Sequence, residues 1–151
     1  MSIGCIQAGK ELCRLSQETL TQLKMQKILY YAHMIHLGKR SAPLIKNSFL
    51  AWKHGPVALG LYEHVRDWGA DEIQSHAFKD IVDLREMKEN FEAEAQSLDE
   101  AYTKLKVFTA GQLVDASHSK NGAWYKTLRM RKVEIPDDFV KDEYSVCSII
   151  Q

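Results

Sequence analysis

Residues 20–32 read LTQLKMQKILYYA and carry the strongest helical pattern in the chain. The apolar side chains of this stretch recur at helical spacing, continue to Leu37 and populate more than one side of the helix. Thr19 or Thr21 can cap the amino end, and Gly38 is placed to end the helix. A helix that is apolar nearly all round is buried on most of its faces. The sequence therefore predicts a central helix.

The rest of the chain carries weaker helical patterns. Residues 73–84 are ambiguous, whereas the other segments show a helical periodicity. They predict helices at about 3–15, 57–68, 86–106, 109–118 and 124–130. Thr109 and Gln112 have the spacing of a capping box at the start of the fourth of these helices. Together with the central helix, these segments predict a mainly α fold, a single compact domain of about six or seven helices over residues 1–151.

The segment after the central helix is open to two interpretations. The run FLAW at 49–52 is short, apolar and bounded by turn residues. It fits either a short extended segment near 48–53 or a helical turn. Gly55-Pro56 follows, and Pro56 is expected to occupy the first turn of the helix over 57–68.

The composition excludes several classes of protein. With 45% hydrophobic and 26% charged residues in 151, the chain fits a globular domain rather than a disordered or collagen-like one. No apolar run approaches the roughly 20 residues of a membrane helix, and no secretory leader opens the chain, so we expect a cytoplasmic protein. Cys5, Cys13 and Cys147 lack CxxC spacing and are expected to be free thiols.

Charge is segregated along the chain although the formal net charge is zero. Residues 1–60 carry 8 basic and 2 acidic residues, residues 61–106 carry 6 and 12, and residues 107–151 carry 6 and 6. The simplest interpretation is that oppositely charged helices pack as neighbours. Because a net charge near zero favours association, a protein partner or a homodimer is also plausible.

Residues 120–132 are strongly basic and include Trp124 and Tyr125. Such a segment could contact nucleic acid phosphates. No recognisable nucleic-acid-binding module accompanies it, so nucleic acid is the less favoured partner. Alternatively, the basic segment could be neutralised by the acidic tail at 133–151, which is either ordered or half-ordered, or by the acidic helix at 86–100.

Four histidines are the candidates for an enzyme. His33 and His36 lie three apart on the central helix and could share a metal, and His54 or His118 could serve a hydrolase. Buried histidines that bond to backbone are the simpler explanation, since no ligand set, nucleophile motif or phosphate-binding glycine cluster accompanies them. We therefore expect no catalytic, cofactor or metal site and keep a metal- or His-dependent hydrolase as the alternative.

Two motifs are specific enough to identify a family. The first is residues 20–32, and the second is AWKHGPV at 51–57, followed by Tyr62. They resemble the Panacea domain of SocA-like antitoxins and phage-associated GepA-like proteins over roughly residues 5–128. A third family motif corresponds to residues 117–124, where this chain has Ser for Thr and Ala for Pro.

The resemblance implies a mainly helical antitoxin of bacteria or their prophages. Such a protein neutralises a cognate toxin by binding it directly. One branch of the family is similar to an adaptor that delivers its toxin to a cytoplasmic protease. The resemblance implies no catalytic residues.

Aromatic residues beside turns are the candidates for partner contact. Aromatic anchors dominate the energy of protein interfaces. In and around the family motifs, the candidate partner-binding residues are Trp52, His54, Tyr62, His118 and Trp124. Packing in the core is the alternative role for each tryptophan, and it is the favoured one for Trp68, which completes a helical face.

Overall fold

The computed structural model describes residues 2–151, so Met1 of the predicted 1–151 domain lies outside the described residues. Over this range the chain forms seven α-helices, four short 3₁₀ turns and a three-stranded sheet, which confirms a mainly α fold. None of these helices is both long and apolar enough to cross a bilayer. The α-helices are α1 (Cys5–Leu15), α2 (Gln22–Arg40), α3 (Leu59–Val65), α4 (Glu92–Leu105), α5 (Ala110–Ser117), α6 (Ala123–Arg129) and α7 (Asp137–Tyr144).

The predicted central helix is α2. The Thr21 hydroxyl caps it by accepting a hydrogen bond from the Lys24 amide, and every residue from Met25 to Leu37 is buried. Helices α1, α4, α5 and α7 all pack against it. Because these helices surround α2, the apolar side chains on most of its faces are buried.

Contrary to the prediction, Gly38 does not end the helix. Helix α2 continues to Arg40, and Ser41 ends it in the left-handed conformation at φ 54°. A Cβ on residue 38 would lie 2.1 Å from Cδ2 of Tyr144. Glycine is required at position 38 because α7 packs closely against α2. A glycine in a helical pattern can therefore indicate close packing of two helices as well as the end of one.

The apolar run FLAW forms a strand, as one of the two interpretations proposed. Strand β1 (Phe49–Trp52) pairs antiparallel with β2 (Gly55–Ala58) on one side and with β3 (Glu134–Ile135) on the other. The prediction that Pro56 opens a helix is wrong, since Pro56 lies in β2 and α3 begins at Leu59. Pro56 is opposite Ala51 at a non-hydrogen-bonded position of the β1–β2 pair. The backbone groups of Pro56 point away from β1, so the missing N–H of proline removes no hydrogen bond between the two strands.

The acidic helix begins later than predicted. Helix α4 starts at Glu92, and the residues before it form a separate 3₁₀ turn at Leu84–Glu86. The Asn90 side chain accepts a hydrogen bond from the Glu92 amide in an Asx turn just before the helix. Lys39 of α2 pairs with Glu100 of α4 at 2.6 Å, so oppositely charged helices do pack as neighbours.

The carboxyl-terminal tail is ordered and packs on α2. The Tyr30 hydroxyl donates to Oε1 of buried Glu143 at 2.9 Å. Burial raises the pKa of the Glu143 carboxyl. Ile150 is buried near the end of the chain, and Lys104 Nζ donates to its carbonyl at 2.7 Å. Segment 137–150 thus closes one side of the hydrophobic core.

Helix α5 begins with the capping box that its sequence predicts. The Gln112 amide donates to the Thr109 hydroxyl at 3.1 Å, and the Thr109 amide donates to Oε1 of Gln112 at 2.9 Å. We expect Thr109→Ala to lower the free energy of unfolding by about 1 kcal/mol in urea denaturation. Thr103→Ala, at an exposed position near the end of α4, is the control. A loss at Thr103 as large as at Thr109 would contradict the assignment of the cap.

Candidate partner-binding site

The two family-like motifs meet at the outer edge of β2. Nε2 of Gln26 donates to the Ala58 carbonyl at 3.0 Å, and its Oε1 accepts from the Ala58 amide at 2.9 Å. These are the Ala58 groups that point away from β1. The side chain of Gln26 therefore takes the place of a neighbouring strand, and the edge of the hairpin is closed by a helix.

Lys27 continues this edge. It is fully buried, and its Nζ donates to the Pro56 carbonyl at 2.7 Å. Burial lowers the pKa of the Lys27 amine from 10.5 to about 7. Gly55 lies against the lysine, and a Cβ there would be 2.8 Å from Lys27 Cε and 2.6 Å from Ser117 Oγ. The hairpin turn fits only because residue 55 has no side chain.

Trp124 holds the hairpin from the opposite side. Its Nε1 donates to the Trp52 carbonyl at 2.7 Å, and its ring stacks on His118 with centroids 3.9 Å apart. Burial lowers the pKa of His118, whose Nε2 is buried without a hydrogen-bond partner among the described residues. Burial therefore favours the neutral imidazole, and the stacking places His118 as packing for the tryptophan.

An apolar groove opens beside the hairpin. Trp52 and Tyr62 form its aromatic wall, with ring centroids 4.9 Å apart in a T-shaped arrangement. Leu23, from the first turn of α2, faces the groove and is 36% exposed. The groove has a volume of about 480 Å³. It is lined by Thr21, Gln22, Leu23, Gln26, Trp52, Lys53, His54, Val57, Tyr62, Gly69, Ala70 and Ala110.

The structure divides the five candidate partner-binding residues into two groups. Trp52, His54 and Tyr62 line the groove, whereas His118 and Trp124 lie behind the hairpin and support Trp52. Sequence analysis did not identify Leu23, Gln26 or Ala70 as part of this site. For Gln26 a signal existed, since a glutamine and a lysine side by side in an otherwise apolar helix require polar partners. For Leu23 and Ala70 the sequence contains no such signal.

The histidines of α2 serve separate structural roles. Nδ1 of His33 accepts from the Leu44 amide at 3.2 Å, so its Nε2 carries the proton and donates to Asp137 at 2.9 Å. His36 bonds to Ser97 Oγ at 2.8 Å. Burial lowers the pKa of His36. Over residues 2–151, no three His, Cys, Asp or Glu side chains converge as a metal site would require.

The chain is similar to known proteins over the region that contains most of these motif residues. The family described as "Antitoxin SocA-like, Panacea domain" matches residues 25–125, a range that contains Gln26, Lys27, the β1–β2 hairpin and Trp124. Antitoxin SocA of Caulobacter vibrioides (strain NA1000 / CB15N) is 29% identical over 109 residues. That alignment covers 70% of this chain and 58% of the relative, so the chain spans little more than half of its length. No solved structure matches significantly. The chain belongs to the SocA-like antitoxin family that carries the Panacea domain.

Proposed function

We propose that this protein is a non-enzymatic antitoxin that neutralises a cognate toxin by binding it in the groove beside the hairpin. Family membership supports an antitoxin-like function. The observation that carries the proposal is the groove itself, which is apolar, partly aromatic and lined mainly by residues of the family motifs.

The groove has the composition of a protein interface. Aromatic side chains are enriched at the centres of interfaces, and they bind best in pockets from which water is excluded. Trp52 and Tyr62 form such a wall, and the polar side chains of Gln22, Lys53 and His54 also border the groove. An apolar side chain of the toxin would insert between the aromatic wall and Leu23.

The hairpin is held rigid before any partner arrives. Gln26, Lys27 and Trp124 fix the backbone at Ala58, Pro56 and Trp52 with the bonds described above. A preorganised surface loses little conformational entropy on binding, so more of the contact energy becomes affinity. This rigidity supports a binding role for the site.

The chemical content of the groove also favours binding over catalysis. Among its described lining residues, His54 is the sole imidazole and there is no thiol or carboxylate. A hydrolase requires a base that is oriented toward a nucleophile or a metal-bound water. The groove contains no such pair.

Co-expression with the product of the adjacent gene tests the proposal. We expect the wild-type protein to relieve growth arrest by that product and to co-purify with it. Leu23→Glu and Ala70→Trp should each weaken toxin binding at least about 30-fold, because they place a charge or a bulky ring in the groove. Absence of both rescue and a co-purified partner would reject the antitoxin function.

Val107→Glu is the matched control for Leu23→Glu. Val107 is 75% exposed and is not among the groove-lining residues. We expect this variant to bind the toxin as the wild type does. If it loses as much affinity as Leu23→Glu, or if Leu23→Glu binds normally, then the toxin does not use the groove.

A role as a proteolytic adaptor is the finer form of the same proposal. An adaptor would bring the toxin to a cytoplasmic protease, so the toxin half-life in cells should fall when the antitoxin is expressed. Simple sequestration would leave the half-life unchanged or extend it. A pulse-chase measurement with wild type and Leu23→Glu separates the two routes, since only a groove-dependent fall supports the adaptor.

A further inference from the structure

A second surface carries positive charge without direct ion pairs. Lys126, Arg129, Arg131 and Lys132 are exposed, and none has a carboxylate within 4.0 Å in the described part of the chain. Neither the acidic tail nor the acidic helix forms a direct ion pair with them, in contrast to the alternative given above. The tail packs on α2 and α6, where Asp137 bonds to His33 and Glu143 accepts from Tyr30 and from the Ala123 amide.

Apolar side chains are interspersed among these cations. Leu128 is 42% exposed, Met130 50% and Val133 61%. Three exposed apolar residues within six positions of sequence are unusual next to four cations, since isolated exposure is the ordinary case. We call residues 126–133 the basic strip.

The basic strip is anchored beside the hairpin. The Ala51 amide donates to the Val133 carbonyl at 2.8 Å, so the strip approaches β1 next to Trp52. Arg131 is left-handed at φ 56°, and the Lys132 amide donates to the Thr127 carbonyl, which fixes the turn. The strip is thus held in one conformation. It begins just beyond residue 125, where the match to the family ends.

We infer that the basic strip binds an acidic segment of a partner protein that also carries apolar side chains. The four cations would pair with carboxylates, and Leu128, Met130 and Val133 would pack against the apolar residues. Protein interfaces are enriched in Arg and Met, whereas contact with nucleic acid phosphates makes no use of exposed aliphatic side chains. The inference concerns a surface separate from the groove and does not depend on the toxin.

Fluorescence anisotropy with synthetic probes tests this inference on the purified full chain. The first probe is a labelled 12-residue peptide of repeated Asp-Glu-Leu-Gly, and the second replaces each Leu by Ser. The third is a 20-base-pair DNA duplex. We expect the leucine peptide to bind at least about fivefold more tightly than the serine peptide and more tightly than the duplex. Binding should weaken as salt is added.

Three variants locate the site and separate the two chemical contributions. Arg129→Glu with Arg131→Glu should weaken the leucine peptide at least about tenfold, and Leu128→Ser with Met130→Ser about fivefold. Lys79→Glu with Lys88→Glu, at exposed lysines outside the strip, should leave binding unchanged. Equal binding of the two peptides, tighter binding of the duplex, or no binding of either peptide would each overturn the inference.

Discussion

Gly55→Ala is expected to lower the free energy of unfolding by roughly 3–5 kcal/mol, a large part of the stability of a small domain. Two effects add. Residue 55 has φ +102°, which a residue with a Cβ rarely adopts. The new Cβ would also lie 2.6 Å from Ser117 Oγ and 2.8 Å from Lys27 Cε. Neither neighbour can move freely, since Lys27 is buried and bonded to Pro56 and the buried Ser117 hydroxyl donates to the Val114 carbonyl.

Gly69→Ala is the control for Gly55→Ala. Gly69 also has a positive φ, +57°, but a Cβ there would meet no atom within 4 Å. It should therefore cost only the backbone strain, about 1–3 kcal/mol, because φ 57° with ψ −123° is a conformation that residues with a Cβ rarely adopt. Urea denaturation of both variants measures the two free energies. Equal losses in the two variants would contradict the proposed close packing around the hairpin turn.

The stability of the protein should depend on pH through Lys27. The pKa of its amine is about 7 in the folded protein and 10.5 when the lysine is in water. Between these values the unfolded state binds more protons, so the free energy of unfolding rises as the pH rises. Below about pH 7 both states are protonated, and the full cost of burying the lysine is present. That cost is progressively lost as the pH rises toward 10.5.

Lys27→Met removes this dependence while keeping a long, flexible side chain. We expect the stability of the variant relative to wild type to fall by about 2–3 kcal/mol between pH 7 and pH 9, because wild type gains stability over that range. The range stops at pH 9 because burial raises the pKa of Cys13 and of Cys147 to about 11, which reverses the trend above that pH.

Lys79→Met, the same substitution at an exposed position, is the control for Lys27→Met. Urea denaturation at three or four pH values within the range provides the free energies. A constant difference between wild type and Lys27→Met would show that the buried amine does not lose its proton in the folded protein.

The central helix could be predicted because its signal is local. Periodic apolar residues from Met25 to Leu37 indicate the helix, and their distribution around it indicates burial on several sides. The end of the helix could not be predicted in the same way. Gly38 resembles a stop signal, but it lies inside the helix because Tyr144, more than a hundred residues later, packs against it.

The candidate site was only partly predictable. Trp52, His54 and Tyr62 were identified because motifs and turns point to them, and the structure places all three on one groove. Leu23 lies in the first motif but resembles a core position of the helix, and Ala70 lies outside the motifs, so neither could be assigned to the groove from sequence. Gly55-Pro56 fits the start of a helix as well as it fits a turn into a strand.

Local sequence is enough to predict the helical class, the buried central helix, the capping box at Thr109 and the resemblance to a family. Contacts between distant parts of the chain are needed to make residues 55–58 a strand and to place the tail over the core. The reason is physical. A helix satisfies its hydrogen bonds within a few residues, whereas the outer edge of β2 is satisfied by Gln26 and Lys27, which are about thirty residues away in sequence.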